Sequence, residues 1–155
     1  MKVLRNIVLY TISVLAVVIF SGCSKDDLTI VKTGYLGFDK SKSVGQALDG
    51  YKYFGTKEWL TTKTPEGARL VIFKADMNPL FIKEINEECG KLNTQQKAIE
   101  SQKWSIQFTL NSDNTFHVSG TQTLTISTDK KKKGGSLNEA LLQSVYKNQL
   151  AAVCM

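Results

Sequence analysis

The side chains best able to do chemistry are few. They are Cys23, Cys89 and Cys154, the single histidine His117, the adjacent carboxylates Asp26-Asp27 and Glu87-Glu88, and the run Lys130-Lys131-Lys132-Lys133. Cys89 and Cys154 lie far apart in sequence with no paired-cysteine motif, and one histidine removes most zinc ligand sets. No metal and no cofactor are expected. His117 stands between Phe116 and Val118 in an alternating stretch, which turns it away from a core and leaves it without an identifiable partner for acid–base work. Glu87 and Glu88 would diverge by about 100° on a helix, so they do not converge on one substrate. No catalytic residues emerge, and the chain reads as non-enzymatic.

Cys23 has a more specific context. Met1–Asn6 carries Lys2 and Arg5, Ile7–Phe20 is apolar apart from Tyr10, Thr11 and Ser13, and Phe20-Ser21-Gly22 leads into the cysteine. This is the three-part form of an export signal. As a helix the apolar stretch would span about 21 Å at ~1.5 Å per residue, short of the ~30 Å hydrocarbon core. Phe20-Ser21-Gly22-Cys23 resembles the lipobox of bacterial lipoproteins, with phenylalanine where leucine is usual. The resemblance implies cleavage before Cys23, a diacylglycerol and palmitate-type modification on its sulfur, and a stable membrane anchor. Ser24 after the cysteine implies, by likeness to enterobacterial sorting, an outer-membrane location facing the periplasm.

Such a location bears on the other two cysteines. With Cys23 lipidated, Cys89 and Cys154 remain as a pair in an oxidising compartment, where a disulfide is favoured. The alternative for Cys89 is a buried hydrophobe on an apolar helix face. The formal net charge is +6, but outside the leader and Lys130–Lys133 the chain is balanced. That excludes the distributed basic stripe a nucleic-acid partner needs. The lysines themselves are candidates for contact with anions or lipid headgroups, against the plainer reading of a solvated loop. A helix N-terminus after Gly134-Gly135 could add to an anion site.

These residues need elements to position them. Ser43-Val44-Gly45-Gln46 has the capping-box form and predicts a first helix, with Val44, Ala47, Leu48 and Tyr51 on its core face. Lys57–Lys63 and Arg69–Ala75 predict a hairpin about the turn Thr64-Pro65-Glu66-Gly67. Phe81, Ile85, Cys89 and Leu92 recur at helical spacing after Asn78-Pro79. Trp104–Leu110 alternates strictly, Asn111–Asn114 is a turn, and Phe116–Ile126 returns, with Gly120 marking a bulge. Residues 129–135 predict a flexible basic loop, and Ser136–Glu139 a second capping box that opens a helix to about Val153. Ile30–Phe38 predicts a short strand or extended arm.

The sum is an α+β domain. A small antiparallel sheet of two hairpins carries two to three helices on one face, preceded by a signal helix. The boundaries are 1–22 for the signal, 23–29 for a lipidated tether and 30–155 for a single domain. The order of elements is similar to small envelope accessory lipoproteins of the barrel-assembly type. The stretch from Lys32 to Phe73, with Gly34, Ser43–Leu48, Tyr51–Phe54, Trp59 and Gly67, resembles a group of uncharacterised bacterial lipoproteins, a likeness that implies no activity. The functional expectation is a membrane-anchored envelope lipoprotein that docks a protein partner or assists an envelope assembly. The alternatives are an anion- or lipid-headgroup-binding module using Lys130–Lys133, and an envelope hydrolase. The aromatics Tyr51, Tyr53, Phe54 and Trp59 are either core or a partner-binding patch.

Overall fold

Alternating residues from Ile99 to Leu110 place Trp104, Ile106, Phe108 and Leu110 on one side of a strand, and this strand is the middle of the sheet. The computed structural model describes residues 26–92 and 97–151. In chain order the elements are α1 (Asp27–Thr33), α2 (Val44–Asp49), β1 (Phe54–Lys63), β2 (Arg69–Met77), α3 (Pro79–Leu92), β3 (Ile99–Leu110), β4 (Phe116–Ser127), β5 (Lys132–Gly135) and α4 (Glu139–Tyr146). The sheet is five-stranded and antiparallel throughout, in the order β1-β2-β3-β4-β5. Every neighbour in the sheet is also a neighbour in sequence. Short turns join β1 to β2, β3 to β4 and β4 to β5, while α3 lies in the connection from β2 to β3.

Register fixes which side chains share a face. One face carries the row Trp59–Phe73–Ile106–Thr121 and, beside it, Thr61–Val71–Phe108–Val118. Phe73, Ile106, Phe108 and Val71 join Val44 and Leu48 of α2, Phe81 and Ile85 of α3, and Leu142 and Val145 of α4 in one core cluster. The other face carries Leu60–Ile72–Gln107, Glu58–Lys74–Ser105–Gln122 and Asp76–Lys103–Leu124, and no helix among the described residues packs into it. The result is α+β, with the apolar rows under the helices and a mixed polar face left open.

Local chemistry explains the element ends. Both halves of the Ser43 capping box form: Gln46 N donates to Ser43 Oγ at 3.2 Å, and Ser43 N donates to Gln46 Oε1 at 2.9 Å. The β1–β2 turn closes through Thr64, whose N–H donates to Ala68 O at 2.9 Å, and Gly67 supplies the positive φ of 87° that the turn requires. The bulge falls where Gly120 marked it: Gln107 pairs with Gly120 and Phe108 with Val118, leaving Ser119 as the extra residue.

Several expectations are corrected. Ile30–Phe38 is no strand. Asp26 caps α1 through Thr29 N at 2.6 Å, and the helix starts inside the segment read as tether. Residues 129–135 do not stay a loop, because Lys132–Gly135 adds an edge strand to β4. The N-cap of α4 is Asn138, not Ser136, since the Asn138 carbonyl side chain accepts from Leu141 N at 3.0 Å; that helix ends at Tyr146 rather than near Val153. Leu92, expected on the buried face of α3, is 78% exposed, while Phe81, Ile85 and Cys89 are buried as expected.

Candidate functional site

The residues singled out by the sequence do not converge on one place. The signal residues Phe20, Ser21 and Gly22, the lipidation candidate Cys23, and Cys154 lie outside the described residues. Cys89 is 3% exposed on α3 and takes part in a disulfide. Cys23 and Cys154, the other two cysteines of the chain, both lie outside the described residues, and a Cys89–Cys154 pairing stays a proposal. Glu87 and Glu88 face solvent, paired along the helix with Lys83 at 4.0 Å and Lys91 at 2.7 Å.

The lysine run is divided by the β4–β5 turn. Lys130 Nζ contacts Glu100 Oε1 at 2.6 Å, and Lys131 Nζ contacts Asp129 Oδ2 at 3.7 Å. Lys132 and Lys133 follow on β5, opposite Ile126 and Thr125, and so point to opposite faces of the sheet. Two of the four charges therefore already have acidic neighbours, and the other two do not form one patch. Asn138 caps α4 by accepting from Leu141 N, and Ser136 and Leu137 separate that cap from Gly134-Gly135.

The aromatic cluster is core. Tyr51, Tyr53 and Phe54 are buried, and half-buried Trp59 packs on Phe73 with ring centroids 4.8 Å apart. Lys32 Nζ lies 5.1 Å from the Trp59 ring and 2.7 Å from Asp49, which also accepts from Trp59 Nε1 at 2.8 Å. Burial and a hydrogen bond to Glu84 hold the Tyr53 phenol above its ordinary pKa. These contacts lock β1 to the helices and leave only Trp59 of the four partly exposed.

Two of the concave places among the described residues bear on the open sheet face and on His117. The larger, about 670 Å³, crosses the open face of the sheet and is lined by Glu58, Lys74, Asp76, Lys103, Gln122 and Leu124 among others. Glu58 is directly opposite Lys74, and Asp76 meets Lys103 at 3.1 Å. Beside this polar band, Leu60 pairs with Ile72, and Thr109 donates to Ser119 Oγ at 2.7 Å. Sequence reasoning missed this site. Its signal was the second register of β1 and β2, where Leu60 and Ile72 alternate with the core residues.

The second place, about 350 Å³, lies beneath the segment 35–38, against Phe116, Leu137 and Leu142. His117 and Glu139 also line it. They form no ion pair with each other, and Glu139 instead accepts from Gln143 Nε2 at 3.0 Å. His117 is exposed, as its place between Phe116 and Val118 implied.

Among the described residues no group of three or more His, Cys, Asp or Glu side chains is arranged to hold a metal ion, and no helix is long and apolar enough to cross a membrane. No family model matches the chain, and no curated protein or solved structure matches it.

Proposed function

We propose that this chain is a lipid-anchored lipoprotein of the bacterial envelope, facing the periplasm from the outer membrane, whose domain docks a protein partner without doing chemistry. The anchor reading rests on the Phe20-Ser21-Gly22-Cys23 motif at the end of the apolar leader. One observation carries the docking reading: the helices cover a single face of the sheet, and the other presents Leu60 and Ile72 beside the Glu58/Lys74 and Asp76/Lys103 pairs. An apolar strip with a charged rim is the usual make-up of a docking surface. Its residues sit on hydrogen-bonded strands, so the surface is already ordered before a partner arrives.

In-cell crosslinking of the tagged full-length protein, followed by mass spectrometry, tests both parts. The expected result is a lipidated Cys23 and one reproducible partner that is lost in a Leu60→Glu variant with an unchanged melting temperature. An unmodified Cys23 sinks the anchor. A partner indifferent to Leu60 and Ile72 sinks the docking face.

The alternative of an anion- or headgroup-binding lysine loop is weakened by the Glu100 and Asp129 contacts. It predicts that changing all four lysines to glutamine abolishes liposome binding, whereas the docking reading predicts no change.

A further inference from the structure

The start of α1 and the lysine hairpin lie at opposite ends of the sheet. Asp27 at the head of α1 is held by Arg69 at 3.1 Å. The same guanidinium donates to Asn111 O at 2.6 Å and to Asn114 Oδ1 at 3.0 Å. The helix start is thereby pinned beside the β1–β2 and β3–β4 turns, at the end where Lys63 pairs with Arg69 and Leu110 with Phe116. From there β4 runs its full 12 residues before the turn in which Ser127 N donates to Lys131 O at 3.0 Å. At ~3.3 Å per residue that strand is about 35 Å long.

Only Ser24, Lys25 and Asp26 separate Cys23 from Asp27. Fully extended, those four steps reach about 14 Å. We propose that the turn end, bearing Asp26, Glu66 and Asp113, faces the membrane that holds Cys23, and that Lys130–Lys133 is presented away from it. This orientation rests on the anchor reading above. The lysines are then separated from the anchoring lipid by several times the ~8 Å Debye length of physiological salt, so the anchoring membrane is not their ligand. Lying the sheet flat would need a strong pull at the far end. There Lys130 and Lys131 are already matched by Glu100 and Asp129, and Lys132 and Lys133 diverge. The near end is no insertion surface either. Asp26, Glu66 and Asp113 have lowered pKa values because hydrogen bonds within their own turns favour the carboxylate, and charged groups stay in water.

The test uses full-length protein, purified from membranes and reconstituted in phosphatidylethanolamine/phosphatidylglycerol vesicles that carry a nitroxide on the lipid headgroup. A click-reactive fluorescent side chain replaces Asp113 in one sample and Lys132 in another, and intact mass reports the lipid on Cys23. The expected result is several-fold stronger quenching at 113 than at 132, unchanged by added salt or by Lys132→Gln with Lys133→Gln in the 113-labelled protein. Equal quenching at both positions in lipidated protein overturns the orientation and leaves the anchor standing. Absence of lipid on Cys23 overturns the anchor and the orientation with it.

Discussion

Two buried tyrosines show how differently a hydroxyl can be used. Tyr51 Oη donates to Gln149 O at 2.8 Å and accepts from Ala151 N at 3.2 Å, so it ties the segment after α4 to the α2–β1 junction. Tyr146 Oη is buried with no hydrogen-bond partner among the described residues. Burial raises both phenol pKa values, but only Tyr51 has bonds to lose. Tyr51→Phe is expected to cost about 1–3 kcal/mol, the usual penalty for orphaning buried partners, whereas Tyr146→Phe should leave stability equal or higher. Urea midpoints for the two variants decide it, and a larger loss at 146 would refute the assignment. Gly34 gives a second contrast. A Cβ there would sit 2.2 Å from Phe116 Cε1, while a Cβ on Gly37 meets nothing within 4 Å. Gly34→Ala should therefore lose about 1–3 kcal/mol through overpacking, and Gly37→Ala should melt with the parent.

The elements were legible where side chains bond to the backbone beside them, and illegible where only the sheet decides. The Ser43 box, the Thr64–Gly67 turn and the alternation from Trp104 were readable because each is a local pattern whose physics acts within a few residues. Strand β5 was not, because Lys132-Lys133-Gly134-Gly135 has poor strand propensity and is ordered by the backbone edge of β4. The helix at Asp27 was obscured by its apolar Leu28, Ile30 and Val31, which fit a strand as readily. The open-face depression was hidden for a related reason: Glu58, Lys74, Asp76 and Lys103 become neighbours only once three strands are in register. The same local bonds give an acid response. Asp113 has a lowered pKa through Thr115 Oγ1 and N, Asp26 through Thr29 N, and Asp129 through Ser127 Oγ. Folded pKa values below the unfolded ones mean that this stability is present above about pH 4 and is lost as pH falls through the folded values. The melting temperature should hold from neutral pH to about pH 4 and then drop. Asp113→Asn, which keeps an acceptor without the titration, should show a shallower drop. An identical acid limb would remove the Thr115 contacts from the account.

For the molecule as a whole, the cysteines test the anchor and the fold together. Cys89 lies buried in the core cluster and is disulfide-bonded, while the chain offers only Cys23 and Cys154 as its partner. A cysteine alkylated by lipid has no sulfur left for a disulfide. If Cys23 carries the anchor, the bond must join Cys89 to Cys154 and tie α3 to the end of the chain beyond Ala151, where Tyr51 already holds the preceding residues. Closing so long a loop is worth up to about 4 kcal/mol in the chain-entropy account. Reductant should therefore lower the melting temperature of the parent protein. Cys154→Ser should melt at the temperature of the reduced parent and show no further response to reductant, because both remove the same cross-link. The Tyr51 bonds survive in either case, so the transition should remain a single cooperative step. A Cys154→Ser protein that still loses stability on reduction would instead place the bond on Cys23. In that molecule the lipid could not be there, and the domain would have to meet its partner without being held at a membrane by that sulfur.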